Sequence, residues 1–214
     1  MRYYISDLHF YHESLNHSLD CRGFADRTAM NEAMIRKWNA RVRDNDEVFI
    51  LGDFSTGKGE ATNAIVNRLA GKLYLLIGNH DLYLEDRKFD TSRFIWIRPY
   101  AEIHDDGRKV ILSHYPVFFY NGQYRKRKDG SDRTYMLYGH VHDSPDEILV
   151  DRFQGIIRNE TRVLHGSSEP ENLPCHMINC FCMYSDYTPL SLDEWIENDR
   201  IRREKMHTKE NGGE

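Results

Sequence analysis

Asp, Asn and His recur in short clusters along the chain: Asp7-Leu8-His9, Gly52-Asp53, Gly78-Asn79-His80-Asp81, Ser113-His114-Tyr115-Pro116 and Gly139-His140-Val141-His142. Oxygen donors and imidazole nitrogens, with no thiolate among them, form a donor set for hard or borderline divalent metals. An Asp can bridge two cations because its oxygens offer several lone pairs, and an Asn adds a carbonyl oxygen without adding charge. A divalent cation held by such donors acts as a Lewis acid and depresses the pKa of a water bound to it.

Each cluster sits just after an apolar run. Tyr3-Tyr4-Ile5, Val48-Phe49-Ile50-Leu51, Leu73-Tyr74-Leu75-Leu76-Ile77, Lys109-Val110-Ile111-Leu112 and Tyr135-Met136-Leu137-Tyr138 read as buried strands. The clusters then lie at strand carboxyl ends, where open α/β sheets gather ligands. Between the strands, a helix is expected from about Asp26 to Val42, with Met30, Met34, Trp38 and Val42 on its apolar face and Asp26 as N-cap. A second carries Ala61, Ala64, Ile65 and Leu69 and stops at Gly71. Asp105-Asp106-Gly107 marks a hairpin turn. Leu149, Phe153, Ile156 and Ile157 form the stripe of a helix over 146–159, and the polar stretch with Gly166, Ser167, Ser168, Pro170 and Pro174 reads as a loop. A strand around Cys180 and an amphipathic helix from Ser191 to about Lys205 close the chain. Strand and helix alternate, so the fold class is α/β, with a single domain over 1–205 and a disordered tail over 206–214.

The order D-x-H, G-D, G-N-H-D, H and G-H-x-H resembles the calcineurin-like metallophosphoesterase superfamily, compact bacterial and phage-type members in particular, and spans Asp7 to His142. The resemblance implies a mixed β-sheet sandwich flanked by helices in α/β/β/α layers, with the metal site on one edge. It implies two divalent metal ions, drawn from manganese, iron, zinc, nickel or cobalt. Asp7, His9, Asp53 and His142 would hold the first; Asp53 again, with Asn79, His114 and His140, would hold the second. A bridging hydroxide would attack phosphorus, with unligated His80 assisting the leaving group or the transition state. Only Asp7 and Asp53 are anionic in that set, so the loaded site stays positive and favours an anionic ester. Some relatives of this fold, a retromer component among them, are scaffolds without catalysis. That reading is the alternative to an enzyme, and retention of His80 with every proposed ligand argues against it. The second block lacks the Asp-Arg pair of the protein serine/threonine phosphatases, which points to a small phosphate ester or a phosphodiester, the diester slightly preferred.

His12 lies near enough to His9 to reach substrate or the first ion, and Tyr115, Phe118, Tyr120 and Asn121 follow His114 closely enough to wall a pocket. Asn79 is a further candidate for substrate contact. Gly52, Gly78 and Gly139 suit tight turns or close backbone approach. Asp81 suits either an orienting role toward a histidine or a helix N-cap. His17, His104, His165, His176 and His207 match no motif. Gly52 to Gly59 falls one residue short of a P-loop, and Gly59 stands where the hydroxyl residue is needed. Arg125-Lys126-Arg127-Lys128 falls on the return between the strands ending at His114 and His140, and reads as a solvated turn.

The net charge of -5 gives no general pull toward nucleic acid or an anionic membrane, although nucleic acid stays open as a substrate. No apolar run reaches spanning length, and Met1 to Ile5 enters a strand without the apolar core of a signal peptide, so a cytoplasmic address is expected. Cys21, Cys175, Cys180 and Cys182 fit that compartment as free thiols, with Cys180 and Cys182 facing the same side of a strand. A zinc site from Cys175, His176, Cys180 and Cys182 matches no C-x-x-C spacing. The sequence gives no oligomeric state.

Overall fold

A computed structural model describes residues 1–164 and 167–211. The first half alternates strand and helix: β1 (Arg2–Ile5), α1 (Arg27–Arg41), β2 (Glu47–Ile50), α2 (Gly59–Val66), β3 (Lys72–Leu76) and β4 (Phe94–Arg98). These strands form one sheet in the order β1-β2-β3-β4, every pairing parallel. The second half adds β5 (Tyr100–Asp105), β6 (Arg108–Ser113), β7 (Thr134–Tyr138), α3 (Pro145–Asn159), β8 (Thr161–Val163), β9 (Pro170–Asn172), β10 (Met177–Asn179) and α4 (Leu192–Asn211). Its sheet runs β10-β7-β6-β5 and is mixed, since only β5 and β6 pair antiparallel, while β8 and β9 form a separate hairpin.

The period-2 alternation of strands explains why two sheets stack. Tyr4, Phe49, Leu51 and Leu76 from the first sheet meet Val110, Leu112, Leu137 and Ile178 from the second in one buried cluster. Their neighbours Tyr3, Ile5, Val48, Ile50, Leu73 and Leu75 face outward and are covered by Met30, Met34, Trp38 and Ile65 of α1 and α2. Ile111, Met136, Tyr138 and Met177 are covered on the opposite side by Val150 and Ile157 of α3. The layers are therefore α/β/β/α. Trp195 of α4 is wholly buried in the central cluster, and its indole N–H donates to Tyr4 O at 2.8 Å.

Asp26 caps α1 as expected, accepting from Ala29 N at 2.7 Å. Asp106 and Gly107 both take positive φ, the requirement of a two-residue type I′ hairpin. Other expectations are corrected. α2 ends at Val66, and Gly71, with φ +97, instead lets the turn into β3 pass Val42, whose side chain a Cβ would meet at 2.8 Å. Its face is also redrawn, with Ala64 exposed and Thr62 buried. The stripe of α3 is rotated. Leu149 and Ile156 are exposed at 55% and 63%, whereas Glu147 and Gln154 are buried. Both are satisfied: Glu147 accepts from Tyr138 Oη, and Gln154 exchanges hydrogen bonds with the Met177 backbone.

The stretch expected to be a loop carries β9; Gly166 and His165 lie outside the described residues. α4 runs on through residues 206–211 that the sequence assigns to a tail, and 212–214 lie outside the described residues. Cys180 and Cys182 do not share a side. Cys180 sits in the central cluster, Cys182 in the one under α1, and Cys175 in the one under α3. A 3₁₀ turn begins at Cys182 and breaks the strand alternation between them. Among the described residues no helix is long and apolar enough to cross a membrane.

Candidate metal centre

β1, β2, β3, β6 and β7 all end at one edge of the sandwich, so the residues after them converge although up to 135 positions separate them. Two groups form. Donor atoms of Asp7, His9 and His142 lie within 4.8 Å of one another, and so do those of Asp53, His114 and His140. His9 Nε2 is 3.1 Å from His142 Nε2, and Asp7 Oδ1 is 3.7 Å from the same His142 nitrogen. Asp53 Oδ2 is 3.4 Å from His9 Nε2 in one group and 3.5 Å from His114 Nε2 in the other. Its other oxygen accepts from His80 N at 2.8 Å. Asn79 Oδ1 lies 3.0 Å from His114 Nε2 and joins the second group.

Backbone geometry makes this approach feasible. Asp7, His9, Asp53, His140 and His142 all have positive φ, a conformation that non-glycine residues adopt at a cost of about 1–3 kcal/mol each. They are held there by backbone hydrogen bonds, His9 N to Asp53 O at 2.9 Å and Asp7 N to Gly52 O at 3.1 Å among them. The preceding glycines leave no room for a side chain. A Cβ on Gly52 would come 2.5 Å from His114 Nδ1, one on Gly78 2.3 Å from Asp53 N, and one on Gly139 2.5 Å from Asp7 Oδ2.

Outer contacts fix which ring nitrogen faces inward. His114 Nδ1 donates to Leu51 O at 2.9 Å, which leaves Nε2 as the lone-pair atom toward Asp53. His142 Nδ1 meets Asp20 Oδ1 at 2.7 Å, which does the same for its Nε2. Asp20 is in turn paired with Arg22 at 2.8 Å, and both side chains are buried. The Arg22 guanidinium also donates to Leu8 O and Asp7 O. Asn179 Nδ2 donates to His142 O at 2.9 Å. Neither Asp20 nor Arg22 stands out in the sequence. An acid and a base two residues apart in a polar loop carry no periodicity, and the contact to His142 spans 122 residues.

Burial, reinforced by the charge of His142, drives the His9 pKa far below its usual value, and burial lowers His12 and His140 as well. Those rings are therefore neutral, the form that ligates metal. Burial would also lower His142, but the Asp20 hydrogen bond and the Asp7 charge outweigh it and raise its pKa. Asp53 is raised by burial, with Asp7 adding to the rise. Two buried carboxylates among inward-facing imidazole lone pairs have the charge and donor chemistry that divalent cations satisfy.

The remaining predicted residues divide. His80 belongs to neither group; its exposed ring lies 5.2 Å from that of His9 and 6.0 Å from that of His12. His12 Nδ1 is 3.5 Å from His9 Nδ1, at the rim of the first group. The Tyr115 ring lies 4.5 Å from His140, and its hydroxyl is 3.5 Å from Asn79 Oδ1. Tyr120 and Asn121 do not join them. Tyr120 is buried beneath α3 with its hydroxyl on the His176 backbone, because the chain turns away after Tyr115 to lay Phe118 and Phe119 on Phe153. Asn121 donates to Glu102 on β5. Asp81 neither orients a histidine nor caps the following turn with its side chain. It accepts from Asp53 N, Phe54 N and Gly78 N, tying two ligand loops together, and burial pushes its pKa up to about 6.

The family model described as calcineurin-like phosphoesterase matches residues 3–205. An uncharacterised protein of Methanocaldococcus jannaschii is 32% identical over 142 residues, 65% of this chain and 68% of its own length. The gene 66 protein of Mycobacterium phage L5 is 30% identical over 171 residues, 65% of this chain and 76% of that one. A solved structure of a protein of unknown function from Aquifex aeolicus superposes with a TM-score of 0.60 at 23% identity, covering 91% of this chain and 96% of that one.

Proposed function

The chain belongs to the calcineurin-like phosphoesterase family, and from that premise we propose that it hydrolyses phosphate esters at a dinuclear metal centre, phosphodiesters in preference to monoesters. The observation that carries this reading is the position of Asp53, whose Oδ2 faces a histidine nitrogen in each group at 3.4 and 3.5 Å. Asp7, His9, Asp53 and His142 would hold one ion; Asp53, Asn79, His114 and His140 would hold the other. When bound, two divalent cations supply Lewis acidity toward the phosphoryl oxygens and lower the pKa of an attacking water.

The chain's own residues do the rest. Leu51 O and Asp20 hold His114 and His142 in the tautomer that points Nε2 inward. Asn79 and the Tyr115 hydroxyl, on the second-ion side, orient an ester oxygen. His80, outside both groups, gives a proton to the leaving oxygen as its bond to phosphorus breaks. The groups flanking the clusters, His12, His80, Asn79 and Tyr115, are imidazoles, an amide and a phenol. None is a guanidinium or ammonium suited to the second charge of a monoester dianion, which favours the singly charged diester.

The test is hydrolysis of bis(4-nitrophenyl) phosphate and 4-nitrophenyl phosphate by metal-free protein loaded in turn with manganese, iron, zinc, nickel or cobalt. Turnover that requires metal, and is faster on the diester, is expected. Metal uptake without turnover of either ester would favour the scaffold reading.

A further inference from the structure

At the opposite end of β6 and β7 from the metal centre lies a groove of about 960 Å³. Its lining includes Arg125, Lys126, Arg127, Lys128, Arg133 and Arg162, against the single carboxylate of Glu171. That concentration of positive charge stands on a chain whose net charge is -5. The basic run is an ordered hairpin: Arg127 N donates to Ser131 O at 2.8 Å, Arg133 N to Arg125 O at 3.2 Å, and the backbones of Lys126 and Asp132 pair antiparallel. Two of the cations are engaged, Lys126 with Glu171 and Arg127 with Asp106 O. Arg125, Lys128, Arg133 and Arg162 pair with no carboxylate among the described residues, so their charge is free for an anion.

Aromatic rings accompany the charge. Tyr124 and Phe119 line the groove, and Phe119 is 68% exposed. Phe118 and Tyr115, earlier on the same segment, are also exposed, and the Tyr115 ring lies 4.5 Å from that of His140 at the metal centre. β7 separates the groove from the metal centre, and its first residue, Thr134, bonds Gly122 O beside the groove. Five residues at about 3.3 Å each put roughly 16 Å between the groove and the metal edge.

We propose that this groove binds the phosphate backbone of single-stranded nucleic acid, with a base stacked on Phe119, so that the diester presented to the metal centre is an internucleotide linkage. The last clause rests on the phosphodiesterase reading above; binding in the groove does not. Uncommitted cations beside exposed rings are the combination that holds single strands, because phosphates neutralise the charge and unpaired bases offer their faces. The groove is concave, which admits a polymer strand but not the surface of a bilayer.

Fluorescence anisotropy of a labelled twelve-nucleotide single strand, with chelator present so that cleavage cannot intervene, tests the proposal across a salt series. Each phosphate contact contributes about 0.7 to the slope of log affinity against log salt. Replacing Arg125, Lys128, Arg133 and Arg162 together by Ala should flatten the slope by about 3 and weaken binding at 0.1 M salt by roughly several hundred-fold. Phe119→Ala should weaken binding by roughly 5- to 150-fold with the slope unchanged. The quadruple variant should keep its Tm and its turnover of the small aryl diester. Absent strand binding, an unaltered slope in the quadruple variant, or preferential binding to phosphatidylserine vesicles would overturn the proposal. Strand binding without hydrolysis of any ester would support the groove and strike the hydrolase reading instead.

Discussion

Asp20→Asn should weaken the first metal site and leave the second intact. Asp20 accepts from His142 Nδ1 at 2.7 Å and carries the charge that compensates buried Arg22 at 2.8 Å. An Asn oxygen can still accept one of these hydrogen bonds, but it cannot supply the charge. The ring of His142 then loses the partner that fixes Nε2 toward Asp7 and His9, and Arg22, which also holds Asp7 O and Leu8 O, loses its counter-ion. Loss of such an outer partner typically reduces metal affinity about 10- to 100-fold, equivalent to about 1.4–2.7 kcal/mol. Breaking the buried pair adds a stability cost toward about 3 kcal/mol, visible as a lower Tm. Calorimetric titration of metal-free protein with manganese should resolve two sites in the parent and a selective loss in the variant. Equal weakening of both sites, or unchanged affinity at each, would refute the role given to Asp20.

Asp53→Asn should weaken both sites while His9→Ala mainly damages the first, as elemental analysis of the purified variants would register; equal losses from His9→Ala would contradict the shared position of Asp53. His80→Ala should retain its metals and lose about 10²–10⁴-fold in turnover of an ester with a poor leaving group, less for an activated aryl ester; a fall in metal content would make His80 a ligand or support. Asp81→Asn should lower stability by about 1–3 kcal/mol in urea unfolding, because one amide oxygen cannot replace two carboxylate oxygens that accept three backbone N–H groups; a neutral result would mean that water takes the place of the lost acceptor.

The site was legible where chemistry coincides with strand ends. Asp7, Asp53, Asn79, His114 and His140 each stand two positions past an apolar run, so locating the runs locates the edge on which they meet. Asp20 and Arg22 were not legible, because their partners are set by loop closure rather than by any repeat. β4 was missed for another reason: it is an edge strand, Ile95 on it is 58% exposed, and no polar cluster follows it. Along α3 hydrophobicity does not mark the inner face. The sheet beneath presents Tyr138 Oη and the Met177 backbone, and these select Glu147 and Gln154 inward. Leu149 and Ile156 are displaced to the surface.

Why the ligands occupy left-handed backbone follows from the meeting of the two sheets. At the carboxyl ends of β1, β2 and β7 the chain must turn immediately, and the left-handed positions there include Asp7, Asp53, His140 and His142 as well as Gly52. Glycine stands one position earlier at Gly52 and Gly139, where the opposing loop leaves no space for a Cβ. The hydrogen bonds that offset the strain also cross between the sheets, since His140 N donates to Asp7 Oδ1 at 3.0 Å and ties the end of β7 to the end of β1. The edge that closes the sandwich and the edge that gathers the donors are thus the same set of contacts. Burying Asp53 in that closed edge, with Asp7 beside it, raises the cost of its charge and its pKa. Divalent cations relieve that cost, so metal binding and stability should rise together in any variant that keeps both carboxylates.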